Sequence, residues 1–424
     1  MNKSIVLILV LLGVLTIYIL VIIINTNNPN SAINSNDTSD SNNHVIPTQS
    51  YLNIHINSDG SISGIEGTPQ YIQRTGNTYL LKNSINGSIS AEKDDITIDG
   101  ANYSIQGDGS NTGIRIRASN VTVKNLQINQ FQTGMGISTS ENTVVGCEIT
   151  NCTYGIYLSS SKNTFSNNYL HNNTIGIDFV YAQNNLLTYN SLENNGNPIH
   201  VEYDWINSID SSNTIDGKPI YYFINQQELT INPADYPKIG YLAFVNCAQI
   251  TVRNLDLSNS RMGIIMVNTT NSTITQNKIA NTWRGIYLYG SYSNNITENY
   301  LANNQVGIYV ETNNANAITR NDIRNSEEFG IVLEGANQII YNNNFINNSK
   351  HATSNGWYDV TSAPLPWGIH TWDNGYPSGG NYWSDYNGTD LDHDGIGDVP
   401  YVLSQEPHYN VDHYPLINPI VTYD

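Results

Sequence analysis

The sequence predicts an all-β chain: a right-handed parallel β-helix with coils of about 22 residues, preceded by a membrane-spanning helix. Three observations lead there. A Gly-Ile pair returns at Gly155-Ile156, Gly176-Ile177, Gly263-Ile264, Gly285-Ile286, Gly307-Ile308 and Gly330-Ile331, spaced by 21 to 23 residues within each run. Each unit adds an Asn-x-apolar step, as in Asn277-Lys278-Ile279, Asn299-Tyr300-Leu301, Asn321-Asp322-Ile323 and Asn343-Asn344-Phe345. Within a unit, Gly285-Ile286-Tyr287-Leu288-Tyr289 alternates with the period of a strand that buries one face. So short a unit cannot cover its own apolar face, so units stack and share one core.

From the N-terminus, Ile5 to Ile24 is apolar and uncharged, long enough at ~1.5 Å per residue to cross a ~30 Å hydrocarbon layer. No small-residue cleavage site follows the bulky Ile22-Ile23-Ile24, so an uncleaved anchor over residues 1–24 is expected. Lys3 is the only charge before the span, which places the bulk of the chain outside the cytoplasm. Residues 25–50, rich in Asn, Ser, Asp and Thr, have little to bury and read as a flexible tether. Asn-x-Ser/Thr sequons at Asn36, Asn86, Asn120, Asn172, Asn271, Asn295 and Asn387 suit an exposed location.

The solenoid is expected over residues 51–350, with residues 51–112 as opening coils and cap. Periodicity breaks between Tyr203 and Ile239, around Pro219, Pro233 and Pro237, so residues 203–240 read as an insertion from one coil. Residues 351–424 form a C-terminal cap. Asn277, Asn299, Asn321 and Asn343 fall at equivalent turns about 4.8 Å apart, close enough for their amides to bond one another.

Acidic residues outnumber basic ones 36 to 17, a net charge of −19 that repels phosphate backbones and excludes nucleic acid as a partner. Only 12% of residues are charged, so neutral polar groups carry solubility, and glycans, cell-envelope components and metal ions are better partners. Cys147, Cys152 and Cys247 are too few for a disulfide framework and lack metal-ligand spacing; they read as small core residues.

Two places are candidates for chemistry. If the Ile after each repeat Gly points inward, the next residue points outward, which gives the column Tyr157, Asp178, Ile265, Tyr287, Tyr309 and Val332, with Trp283 and Arg284 beside it. Aromatic rings on such a face offer a stacking surface for sugars; cross-strand packing is the bland alternative. Glu311 and Glu334 share one offset on successive coils and are expected as neighbours that either stay solvated or share a proton or cation. The second candidate is Asp390-Leu391-Asp392-His393-Asp394-Gly395-Ile396-Gly397-Asp398. Alternating carboxylates followed by Gly can wrap one calcium through Asp390, Asp392, Asp394, Asp398 and the Ile396 carbonyl, although Tyr401 stands where an EF-hand would have Glu; the alternative is an acidic solvated turn.

The Gly-Ile/Asn repeat, the string Asn213-Thr214-Ile215-Asp216-Gly217-Lys218-Pro219-Ile220-Tyr221-Tyr222 and the tail Gly379-Gly380-Asn381-Tyr382-Trp383-Ser384-Asp385-Tyr386 resemble the NosD-type β-helix family, in its archaeal cell-surface branch. The resemblance spans residues from about 51 to 420 and implies a pectate-lyase-like fold within a class of carbohydrate-binding and sugar-hydrolysing solenoids. The family's copper role finds little support: four Met, three Cys and nine His are scattered, where copper favours clustered soft ligands. The Gly-His-Gly element of polygalacturonases and the Asp-Pro-His element of uronan epimerases are absent, as is any Ser/His/Asp or Cys/His pattern. A carbohydrate-binding or envelope-scaffold role is therefore expected ahead of catalysis, with a lyase, epimerase or hydrolase of uronic-acid polymers as the alternative.

Overall fold

The computed structural model describes residues 51–64, 70–312, 315–353, 368–404 and 410–421. The expected anchor and tether lie outside these residues; among the described ones, no helix is long and apolar enough to cross a membrane. They form a parallel β-solenoid of about 12 turns with coils of about 22 residues.

Each coil gives one strand to each of three ladders. One coil supplies Tyr154–Leu158, Thr164–Ser166 and Tyr169–His171, and the next places Ile175–Val180, Leu186–Thr188 and Ser191–Glu193 on them in parallel register. In the second half, Arg284–Tyr289, Asn295–Thr297 and Tyr300–Ala302 pair likewise with Val306–Glu311, Ala317–Thr319 and Asp322–Arg324. The register stacks Ile264, Ile286, Ile308 and Ile331 in one column, all fully buried. The N-terminal end is closed by antiparallel pairing, with Leu52–Ile56 against Ile62–Ser63 and Ile72–Thr75 against Thr78–Leu81.

The repeat glycine has a steric cause. A Cβ on Gly285 would lie 2.4 Å from the Gly307 carbonyl oxygen, one on Gly307 2.5 Å from that of Gly330, and one on Gly263 only 1.9 Å from that of Gly285. Coils approach so closely at this step that no side chain fits, which is why the residue recurs with the coil.

The asparagine ladder forms as expected, entirely buried. The Nδ2 of Asn277 donates to Oδ1 of Asn299 at 2.9 Å, Asn299 to Asn321 at 3.0 Å and Asn321 to Asn343 at 3.0 Å. Each Oδ1 also accepts the backbone N–H of the preceding Asn, at 3.0 Å in all three steps. Turn backbone that would otherwise be buried unpaired is thereby satisfied. The ladder continues to Asn381 and ends at Asp412, whose Oδ2 accepts the Asn381 N–H at 2.7 Å and the Trp383 indole at 2.9 Å.

The expected insertion at 203–240 is corrected to the junction of two ladder systems. Ser208–Ile209 and Thr214–Ile215 still continue the first ladders in parallel. The chain then reverses through Asp216-Gly217, both at positive φ (47° and 71°), and Lys218–Ile224 returns antiparallel to Thr214–Ile215. Two left-handed residues make the turn that suits a two-residue hairpin. Lys218–Ile224 then founds the second ladder by parallel pairing with Tyr241–Val245, and Thr230–Ile231 pairs with Thr251–Arg253, so the longest stretch between strands here is residues 232–240. The prolines suggested a longer break, but Pro219 sits at the hairpin, where Ile220 supplies the N–H to Asn213 O at 2.9 Å.

Cys147, Cys152 and Cys247 are free and buried, with their thiol pKa values raised by burial, that of Cys147 to about 12. They are the inert core residues expected.

Candidate functional site

The register assembles six of the eight proposed sugar-binding residues. Tyr287 pairs with Tyr309 and then Val332 along one column, while Tyr289, Glu311 and Glu334 form the next outward column. Arg284 lays its guanidinium over three rings, 4.7 Å from Trp283, 4.5 Å from Tyr287 and 4.2 Å from Tyr309. The Tyr287 hydroxyl donates to Glu311 at 3.0 Å, and the Tyr309 hydroxyl donates to Glu334. The carboxylates are thus held by phenols, and among the described residues Arg284 has no ion-pair partner.

One expectation is corrected here. Tyr287 and Tyr309 are not open rings: they are 8% and 4% exposed. This ladder carries apolar residues outward as well as inward. Val245, Ile265, Val267, Val306 and Val332 are as buried as the inward column and pack in one apolar cluster with Tyr287 and Tyr309. Arg284 adds to the cover by lying across both rings. The half-buried side chains that remain accessible are Trp283, Arg284, Tyr289, Glu311 and Glu334, with the two tyrosines as a floor.

Burial decides the electrostatics. It raises the pKa of Glu334, and nearby Glu311 raises it further against the opposing effects of the Tyr309 hydrogen bond and Arg284. Both phenols are also raised by burial, with Glu311 next for Tyr287 and Glu334 for Tyr309, so they remain donors. A cation seated on aromatic faces beside a protonatable carboxyl can receive an acidic ligand.

Tyr157 and Asp178 lie on the equivalent column of the first half, away from this cluster in sequence register. Asp178 is buried and bonded to His200 Nδ1 at 2.7 Å; Tyr157 packs edge-on to Tyr154 at 6.0 Å.

In the acidic loop, ligand atoms of Asp390, Asp392 and Asp394 lie within 4.8 Å of one another. Asp390 accepts the Asp394 and Gly395 amides, both at 3.1 Å, and Asp394 accepts that of Ile396 at 2.8 Å; His393 and Gly395 turn the chain at positive φ. Asp398 instead closes the loop through the Leu391 amide at 2.8 Å and is not gathered with the other three. Ile396 bridges to Leu416, tying the loop to the C-terminal segment.

Sequence reasoning found no Ser/His/Asp pattern, yet Ser384, His351 and Asp385 meet in space. His351 Nε2 lies 3.3 Å from Ser384 Oγ and 3.2 Å from Asp385 Oδ1, while Nδ1 faces the Asn348 amide at 3.4 Å. A proton relay needs carboxylate and serine on opposite ring nitrogens. Here both share one, so the group is a structural tie beneath the stacked Phe345, Trp383 and Tyr401 rings.

Fold and ladders define the class: a right-handed parallel β-helix of stacked repeats. Residues 237–388 match the family model described as periplasmic copper-binding protein (NosD), and residues 102–236 match that of the right handed beta helix region. The solenoid and these two matches are those of the NosD-type β-helix family. No curated protein matches the sequence. Among solved structures, the periplasmic alginate epimerase AlgG, in a double-mutant form, aligns at 11% identity and TM-score 0.33, over 67% of this chain and 77% of its own. The catalytic domain of a GH87 alpha-1,3-glucanase in complex with nigerose aligns at 14% identity and TM-score 0.26, over 71% of this chain and 57% of its own. A GH87 alpha-1,3-glucanase from Streptomyces thermodiastaticus aligns at 11% identity and TM-score 0.28, over 68% of this chain and 64% of its own. No residue role is transferred from them.

The family description names copper, and the residues do not fit it. Met135, Met262 and Met266 are buried core side chains, and the three thiols point at backbone carbonyls. Among the described residues, the group of three able to hold a metal is all carboxylate, a donor set for a hard cation.

Proposed function

We propose that this chain is a surface β-helix, displayed outside the cytoplasm on its N-terminal segment, that binds acidic polysaccharide through the Arg284 cluster. The observation that carries this reading is Arg284 itself: a guanidinium held on three aromatic rings beside Glu334, with no ion pair within 4.0 Å among the described residues. It is positioned by rings, and its planar fork matches a sugar carboxylate in bidentate fashion. Trp283 and Tyr289 supply flanking apolar surface, and Glu311 and Glu334 can accept sugar hydroxyls. The carboxylate loop is proposed to hold calcium through Asp390, Asp392 and Asp394 as a structural ion of the cap.

The test is titration of the full-length chain with oligogalacturonate. Arg284→Gln is expected to weaken binding about tenfold or more, as for loss of a charge-assisted pair, with the melting curve retained. Unchanged affinity in that variant would remove the site. A catalytic reading draws on one observation, the raised pKa of Glu334 beside Arg284. Release of unsaturated or epimerised sugar from the same oligomer, lost in Glu334→Gln, would establish it.

A further inference from the structure

The first half carries a second, differently built surface. Tyr181 and Tyr203, on successive coils, stack with ring centroids 4.5 Å apart and planes within 8°, yet stay 61% and 48% exposed. Tyr189, on the same coil as Tyr181, is 67% exposed. All three have left-handed backbones, with φ of 52°, 71° and 56°. A bulky side chain is out of place there, and such strained positions gather at functional sites.

The ladder shows what the backbone prefers. Tyr189 follows Asn125, Gly146 and Asn167 in one column of left-handed turns, each donating its N–H to the next coil in the same way for the first three. Asn and Gly suit this conformation. Between Tyr181 and Tyr189, Leu186 stands, 40% exposed, where preceding coils place Thr97, Thr122, Thr143 and Thr164. This coil therefore departs twice from its own repeat, at Leu186 and Tyr189, each time by turning a large apolar group to solvent.

We infer that Tyr181, Tyr203, Leu186 and Tyr189 form a stacking site for a neutral oligosaccharide, separate from the Arg284 cluster. Leu186 opens the strand Leu186–Thr188 and Tyr189 follows it in a turn, a separation of about 10 Å at most, which has room for two sugar rings. Exposed rings with hydroxyl rims suit the C–H face and hydroxyl edge of a pyranose. The strip offers on the order of 500 Å², less than the ~800 Å² per partner of a stable protein interface. Glu202 acts on Tyr203 and disfavours acidic sugars there; hydrogen bonding to Tyr181 and that carboxylate push the Tyr203 phenol up to about 12, so it remains a donor.

The discriminating variants place Asn, which suits a left-handed turn, at these positions. Tyr181→Asn with Tyr203→Asn, and separately Tyr189→Asn, relieve strained turns and should leave melting unchanged or higher. The full-length chain, in a detergent without sugar headgroups, would be applied to immobilised neutral and uronic-acid oligosaccharides. We expect neutral pyranose oligomers to bind, to lose about tenfold or more affinity in the double variant, and to weaken in Tyr189→Asn, with uronate binding retained. Arg284→Gln should show the reverse pattern, so failure of either site is seen separately. The inference is overturned if no neutral oligosaccharide binds the wild type, or if that binding survives the double variant. It is also overturned if the double variant instead abolishes self-association or vesicle binding.

Discussion

Two ladders meet titratable groups in the C-terminal cap, and their opposite pKa shifts make a quantitative prediction. Asp412 terminates the asparagine ladder, buried, with its pKa raised from 3.8 to about 6, chiefly by desolvation and further by Asp373, which itself pairs with His413. His370 receives the ladder through Asn294, Asn316 and Gln338 by accepting the Gln338 N–H on Nδ1 at 3.3 Å, and donates its own backbone N–H to Asn410 at 3.1 Å; desolvation lowers its pKa from 6.5 to about 4. The Asp412 contribution to stability is fully present below pH 3.8 and lost as pH rises through about 6. The His370 contribution is fully present above pH 6.5 and lost as pH falls through about 4. Each shift, a little over two units, corresponds to about 3 kcal/mol. At pH 5 the folded cap holds one proton, on Asp412, and the unfolded chain also holds one, on the histidine. The two slopes cancel in the wild type. Asp412→Asn should therefore lose about 3 kcal/mol relative to wild type between pH 7 and 4, and His370→Gln should gain about as much. Urea denaturation at pH 4, 5, 6 and 7, followed by tryptophan emission, reads both, since Trp372 and Trp383 donate to Asn410 and Asp412. Each variant is referred to wild type, so carboxylates elsewhere drop out. Parallel pH profiles for all three proteins would refute the assignment.

Three other outcomes are expected. Gly285→Ala should cost about 1–3 kcal/mol by overpacking against the Gly307 carbonyl, measured as a lower urea midpoint; an unchanged midpoint would mean the coils part freely there. Asn299→Ala leaves the buried Asn277 N–H without its acceptor and Asn277 Nδ2 with Val252 O alone of the two, and should cost about 3 kcal/mol. Calcium should raise the melting temperature of the wild type but not of Asp392→Ala with Asp394→Ala, with magnesium a poor substitute; equal melting in calcium, magnesium and chelator would leave the loop an ordinary acidic turn.

The coil, its period and the asparagine ladder were legible because each is a repeated chemical requirement, with one buried turn per coil and one amide to satisfy it. Alternation also placed Tyr287, Tyr309, Glu311 and Glu334 on one side of the sheet. It did not reveal that this side is buried, because period two separates two faces without saying which meets solvent, and this ladder is apolar on both. The hairpin at Asp216-Gly217 was hidden by prolines read as breaks. Asp398 was grouped with the other carboxylates by spacing alone, whereas the turn at His393 and Gly395 hands it to the Leu391 amide. The left-handed tyrosines could have been noticed in advance by aligning Tyr189 with Asn125, Gly146 and Asn167, where an aromatic interrupts a column of turn formers.

The amides of the second ladder all donate toward the C-terminus, from Asn277 through Asn299, Asn321 and Asn343 to Asn381, and the series stops at a carboxylate with no N–H to pass on. A whole coil duplicated between Asn277 and Asn343 meets the same donor below and the same acceptor above, so length in this stretch can drift by repeat gain without redesign of either neighbour. Beyond Asp412 that freedom ends. Once ionised, above about pH 6, Asp412 has no side-chain donor for the acceptor a further coil would offer, which confines repeat gain in this ladder to its interior.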